Sequence, residues 1–264
     1  MRFIIKGYNS KVMPTTYQIA SDLHIEYMST NIDPLSLITP VADILILAGD
    51  IGNLYKYDQL FNFLNGLVDY FKYILYVPGN HEYYKPKDAR YKNKTFSELN
   101  HRLDSLASSF TNLVVLNCAS VLIGNTCIVG CTLWSDIKCD LPRYIVRIND
   151  FNTIFYKSLY LHHADYISRM IGYCKEHKYE MVCVTHHPPT FDVINMVNRK
   201  QKFTSLYASS LDDIINKDNM SMWVFGHVHK NFDLDKNGCR LISNQLGREK
   251  DNVQDYKTDL SIEI

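Results

Sequence analysis

The chain has 264 residues, 46% of them hydrophobic and 21% charged, enough to bury a substantial core and to exclude a disordered polymer. Lysine plus arginine and aspartate plus glutamate each number 28, so the formal charge is zero, without the basic field that recruits nucleic acid or anionic membrane. No apolar run approaches the roughly 20 residues that span a bilayer, and the seven cysteines include no Cys-x-x-Cys pair of a zinc ribbon or redox motif.

In chain order, residues 1–16 hold only a short apolar stretch at Phe3 to Ile5 before turning polar, which does not read as a secretory leader. Short runs rich in β-branched residues predict buried strands at Tyr17 to Ala20, Asp43 to Ala48, Tyr73 to Val77, Met181 to Thr185 and Met222 to Phe225. Between them, apolar residues at three-and-four spacing predict helices over Tyr57 to Phe71, over Thr95 to Ser108, and within 158–177. The helical rhythm is lost at Leu113 to Val115, and Val121 to Ile123 and Thr126 to Val129 flank Gly124-Asn125 as a hairpin. A second hairpin is expected from Asn231 to Leu234 and Cys239 to Ser243 around Lys236-Asn237-Gly238. There is no internal repeat and no Ser/Gly-rich linker, so one domain over 1–264 is expected, with irregular insertions near 135–157 and 189–206. The cysteines, Cys131 included, read as reduced core residues in a reducing compartment, and a cytoplasmic location follows.

Chemistry concentrates where the five buried strands stop. They run into Asp22-Leu23-His24, Gly49-Asp50, Gly79-Asn80-His81-Glu82, His186-His187 and Gly226-His227-Val228-His229. The carboxyl ends of strands in an open α/β sheet line one crevice, so these endings can converge. Asp22 and His24 are two residues apart, as are His227 and His229, and in extended backbone each pair projects to one side. Glycine precedes Asp50, Asn80 and His227, where the chain must leave a strand sharply and let backbone approach the site. One Asp-x-His or one strand-end histidine would carry little meaning; five such endings together point to a metal centre.

With these blocks in this order, the chain resembles the calcineurin-like metallophosphoesterases, from about Tyr17 to the C-terminus. The likeness includes Leu133-Trp134-Ser135-Asp136 and Ser243-Asn244-Gln245-Leu246-Gly247, which are similar to a bacterial-type single-domain subgroup. The resemblance implies an α/β fold, a four-layer α/β/β/α sandwich of the metallophosphoesterase type. It implies two divalent metal ions, with Asp22, His24 and His229 on one, Asn80, His186 and His227 on the other, and Asp50 bridging. Imidazole and oxygen donors without thiolate suit manganese, iron or zinc. The implied activity is hydrolysis of a phosphoester by a metal-bridging hydroxide, with His81 stabilising charge on the phosphoryl group or protonating the leaving oxygen.

His187 is expected beside the metal ligands, Glu82 to orient His81 or cap the following turn, and Asn244 to contact the site or form a turn. Arg143 and Arg147, on the first insertion, are candidate phosphate binders. A small phosphoester is the expected partner, with no membrane, and neutral charge argues against nucleic acid. Charge arithmetic favours a phosphodiester: four positive charges on the ions against three on Asp22, Asp50 and hydroxide leave one, which a singly charged diester neutralises. A phosphomonoesterase, a protein phosphatase or a catalytically silent binding scaffold are the alternatives; Gly49-Asp50-Ile51-Gly52-Asn53 lacks the Asp-Arg-Gly continuation of the protein phosphatases, and no ligand is missing as a silent scaffold would allow.

Overall fold

The computed structural model describes residues 2–5, 16–196 and 203–264. In chain order the strands are β1 (Arg2–Ile5), β2 (Thr16–Ala20), β3 (Ile44–Ala48), β4 (Tyr73–Val77), β5 (Leu113–Val115), β6 (Ala119–Ile123), β7 (Thr126–Cys131), β8 (Glu180–Thr185), β9 (Met222–Val224), β10 (Phe232–Lys236), β11 (Cys239–Ser243) and β12 (Ser261–Glu263). The helices are α1 (Tyr57–Asn65), α2 (Phe96–Ser108), α3 (Thr153–His177) and α4 (Asp192–Met196). One sheet runs β12-β2-β3-β4-β5 and the other β1-β6-β7-β8-β9-β11-β10.

Strict alternation explains why these sheets stack. Along β3, Ile44, Ile46 and Ala48 face the second sheet, while Leu45 and Leu47 face outward. Along β8, Val182 and Val184 face inward, and Met181 and Cys183 outward. A strand apolar on both faces must be covered on both. The inner faces bury each other; α1 (Leu60, Phe63, Leu64) and α2 (Leu99, Leu103, Leu106) cover the first sheet, and α3 (Ile167, Met170, Ile171, Cys174) the second. The result is the expected four-layer α/β/β/α sandwich, in which each fully buried leucine contributes about 1.5–3 kcal/mol.

Thr95 caps α2 through a capping box: its hydroxyl accepts from Glu98 N at 3.1 Å, and the Glu98 carboxylate accepts from Thr95 N at 2.7 Å. The helix expected to reach Phe71 stops at Asn65, because Gly66 caps it and a separate 3-10 turn occupies Val68–Tyr70. The expected third helix starts earlier, at Thr153, where the Asn152 side chain accepts from Phe155 N. Both hairpins form at the expected turns, with Ile123 paired to Thr126 and Lys236 to Cys239. Two strands lie outside the predicted set: β1, at the short apolar stretch noted above, pairs with β6, and β12 with β2, across more than a hundred residues each. The 189–206 segment contains α4 and a 3-10 turn at Thr204–Leu206; its residues 197–202 lie outside the described residues.

The two sheets are joined where they bear the site. Ser21, just past β2, bridges in parallel to Gln245, just past β11, and Ser21 N donates to Asn244 O at 2.9 Å. The Asn244 amide donates to Ile19 O and Lys257 O, each at 2.7 Å, so this asparagine ties the sheets together and does not reach the cavity. Five cysteines are buried, two are half-buried, and all seven are free thiols; Cys131 packs in the outer core of the second sheet. Among the described residues no helix is long and apolar enough to cross a membrane.

Candidate metal centre

Beyond the strands the backbone changes hand. Asp22, His24, Asp50, His227 and His229 take positive φ of 53°, 49°, 52°, 76° and 51°. A non-glycine residue in this region costs on the order of 1 kcal/mol or more, and such strain persists where surrounding structure enforces it. Here the enforcing bonds are Asp22 N to Gly49 O and His24 N to Asp50 O, both 2.9 Å, and His227 N to the Asp22 carboxylate at 3.0 Å. The two-residue spacing therefore does not act through extended backbone, as the sequence suggested. Left-handed residues send His227 toward His186 and His229 toward Asp22, so the Gly-His-x-His pair divides between two groups.

Those groups share one carboxylate. Asp22, His24, Asp50 and His229 bring one donor atom each to within 4.8 Å of one another, and Asp50, His186 and His227 do the same. Between His24 Nε2 and His229 Nε2 the distance is 2.9 Å, and His229 Nε2 lies 3.3 Å from Asp22 Oδ1. His186 Nε2 lies 3.3 Å from Asp50 Oδ1, 3.0 Å from Asn80 Oδ1 and 3.2 Å from His227 Nδ1. Asp50 Oδ2 is 3.8 Å from His24 Nε2, so the carboxylate reaches both groups. Gly49 and Gly79 leave the necessary room: a Cβ on Gly49 would fall on the His186 ring, and one on Gly79 on the Asp50 carboxylate.

Imidazole nitrogens converging this closely with carboxylate oxygens fit a cation better than they fit each other, and the outer ring nitrogens agree. Glu26 Oε1 is 3.2 Å from His24 Nδ1, Ala48 O is 2.9 Å from His186 Nδ1, and Asp251 Oδ2 is 2.6 Å from His229 Nδ1. Each acceptor fixes a proton on Nδ1 and leaves the Nε2 lone pair aimed inward. His227 is the exception, since it turns Nδ1 inward while its buried Nε2 has no hydrogen-bond partner.

Without a cation the carboxylates share their charge with the histidines. Burial lowers His186 and His229, but Asp50 beside the first and Asp22 with Asp251 beside the second lift both to about 9. Burial and neighbouring histidine charge hold His227 well below its usual value, and they lower His187 to about 3. Burial raises Asp50, but the His186 charge carries it well below the usual carboxylate range.

His81 stands at the edge of this centre. Its backbone N–H donates to Asp50 Oδ1 at 2.7 Å, and its Nδ1 lies 3.0 Å from Glu26 Oε1. One carboxylate oxygen thus accepts from both His24 and His81, and Glu26 Oε2 is left buried without a partner. Glu82 neither orients His81 nor caps a turn. It accepts from the backbone N–H groups of Gly79 (2.8 Å), Asp50 (3.0 Å) and Ile51 (2.8 Å) and from the Tyr76 hydroxyl (2.6 Å), tying the loop after β3 to the loop after β4. Burial and the Asp50 charge push Glu82 up to about 8, against which these donors favour its charged form. His187 packs its ring on His227, with centroids 4.0 Å apart, and faces Thr132 O.

A cavity of about 130 Å³ opens on the centre, lined by Asp50, Asn80, His81, His187, His227 and His229. The first insertion adds Ile145, Val146 and Tyr156 to its wall, the segment after 203 adds Leu206 and Tyr207, and Arg248 closes one side. Arg147 is not in this wall, though its guanidinium lies 5.7 Å from the Tyr84 ring centre, and Tyr84 is. Arg143 points elsewhere, donating to Asn149 O at 2.8 Å. Sequence reasoning missed Glu26, Arg248 and Asp251. Glu26 continues the Asp-x-His alternation by one more step and was legible there; Arg248-Glu249-Lys250-Asp251 reads as ordinary solvated charge and offered no signal.

The sequence profile described as calcineurin-like phosphoesterase matches residues 19–231. The chain is similar to an uncharacterized protein of Acanthamoeba polyphaga mimivirus, 26% identical over 89% of this chain and 93% of that one. Among solved structures it superposes on the phosphopantetheinyl hydrolase of Mycobacterium tuberculosis with a TM-score of 0.66, at 17% identity, over 90% of this chain and 91% of that one. At that identity the likeness is one of fold.

Proposed function

The chain belongs to the calcineurin-like phosphoesterases, and from that premise we propose that it is a metal-dependent phosphodiesterase built on a two-ion centre. The observation that carries this reading is the pair of donor groups sharing Asp50. Asp22, His24 and His229 would hold one divalent ion, Asn80, His186 and His227 the other, with Asp50 between them. Manganese, iron or zinc suits these donors. Bound there, the ions would supply Lewis acidity and an acidified water for in-line displacement at phosphorus.

The protein's own residues would do the rest. Glu26 holds the His81 Nδ1 proton and so directs Nε2 away from the carboxylate and toward the cavity that His81 lines. From Nε2 a proton passes to the departing oxygen as its bond to phosphorus breaks. The strained turns at Asp22, Asp50 and His229 fix the donors before any ion arrives, which lowers the reorganisation required on binding.

Two observations support a diester. The cavity wall offers Ile145, Val146, Leu206 and Tyr207, apolar surface suited to a second ester substituent. Its single guanidinium, Arg248, is already paired with Asp251 at 2.9 Å, so little uncommitted positive charge remains for a dianion. We take the chain as one catalytic domain over 1–264, and its seven free thiols fit a reducing, cytoplasmic setting. The test is catalytic efficiency on bis(p-nitrophenyl) phosphate against p-nitrophenyl phosphate with manganese-loaded protein. Higher efficiency on the diester is expected; a clear preference for the monoester overturns this reading.

A further inference from the structure

A second cavity of about 580 Å³ adjoins the metal centre. Its lining includes Lys87, Arg147 and Lys250 against the one carboxylate of Glu249, with Arg248 beside them already paired to Asp251, in a chain whose formal charge is zero. Arg248 lines both cavities. Asp251 Oδ2 lies 2.9 Å from its Nε and 2.6 Å from His229 Nδ1, so the guanidinium is anchored one carboxylate away from a candidate ligand. On the other side, the Tyr27 hydroxyl lies 3.5 Å from His81 Nδ1, and Arg147 sits against Tyr84 in the metal-centre wall. The basic cavity therefore begins beside His81, where the departing half of a substrate leaves.

From this juxtaposition we infer that the basic cavity is a subsite for a second phosphate carried by the departing half of the substrate, and that the substrate class is a small nucleotide-type phosphodiester with a phosphorylated leaving group. Convergent guanidinium and ammonium groups suit a phosphate, the former by paired N–H donors and the latter as point charges. Tyr27 and Tyr144, 57% and 74% exposed, offer aromatic faces to a flat base. Local charge of this kind is invisible in a balanced total.

This inference rests on the phosphodiesterase reading, and the experiment separates the two. Adenylyl-(3′→5′)-adenosine and its 5′-phosphorylated form differ by one phosphate on the departing half. Water adds across the phosphorus–3′-oxygen bond, and the 3′-oxygen takes the proton, so the first yields adenosine and adenosine 5′-monophosphate, the second two molecules of adenosine 5′-monophosphate. With the metal-loaded full chain, efficiency on the phosphorylated form should exceed that on the other by about tenfold or more at low salt. In Arg147→Gln/Lys250→Gln the ratio should fall toward one. Independently, calorimetry on metal-free protein should show adenosine 5′-monophosphate binding at least about tenfold tighter than adenosine, a difference lost in the same double variant. Equal efficiencies, or a phosphate advantage that survives the double variant, overturn the subsite. If neither dinucleotide nor bis(p-nitrophenyl) phosphate is cleaved, the phosphodiesterase reading fails instead, and the calorimetric comparison alone then decides whether the subsite exists.

Discussion

Replacing Glu26 with glutamine tests how the centre divides labour between holding ions and moving a proton. The carboxylate accepts from His81 Nδ1 at 3.0 Å and from His24 Nδ1 at 3.2 Å, both through Oε1, in a buried setting. Burial would raise Glu26, yet the hydrogen bonds from the two histidines pull it below its usual value, so the native group is a carboxylate. A hydrogen bond to a charged partner is worth about 1.5–3 kcal/mol. Glutamine keeps a carbonyl acceptor but removes the charge that stabilises the imidazolium as it forms and vanishes. If one such bond is lost at the transition state, kcat falls by about 10- to 150-fold, at roughly 1.36 kcal/mol per decade. The assay is kcat against a series of aryl phosphodiesters, alongside metal content by mass spectrometry. Metal content should hold, and the defect should grow as the leaving phenol becomes more basic, because less acidic leaving groups depend more on a donated proton. A uniform loss across the series accompanied by loss of metal would show that Glu26 acts through His24 alone, and an unchanged kcat would remove it from the mechanism.

Asp50→Asn, which removes the charge common to both donor groups, should lose at least one ion and nearly all turnover; two ions per chain with near-normal turnover would refute the bridge. His81→Ala should keep its metals while turnover drops by roughly two to four orders of magnitude, and loss of both metals would make His81 a ligand. Glu82→Ala strands three close backbone donors and the Tyr76 hydroxyl in the core, and at about 1–3 kcal/mol for each unmade bond the unfolding free energy from denaturant titration should fall by several kcal/mol; a value within experimental error of wild type would refute that role. In the metal-free protein His186 and His229 are raised to about 9, and both must be neutral to ligate. Apparent metal affinity should therefore climb with pH up to about 9 and then level, with proton release on binding; an affinity flat between pH 6 and 9 would contradict these environments.

The sequence by itself determined a layered α/β class and the donor inventory, and its resemblance to the metallophosphoesterases implied the four-layer sandwich. Two-sided apolar runs such as Asp43 to Ala48 and Met181 to Thr185 demand cover on both faces, and ligand-type residues follow five such runs. These are local facts, fixed by residue type and order. Tertiary structure decided everything that depends on which ends meet. The bridge from Ser21 to Gln245 brings the carboxyl ends of two sheets together, and β1 and β12 pair over separations that no periodicity encodes. Left-handed turns send His227 and His229 to two groups, where their spacing alone suited either one ion or two neighbours. The same convergence brought Glu26 to His81, Asp251 to His229, and Arg248 and Arg147 to one rim, while turning Arg143 away. A side chain's type is written in the chain, but its electrostatic partner is set by the three-dimensional path of backbone that can run two hundred residues away.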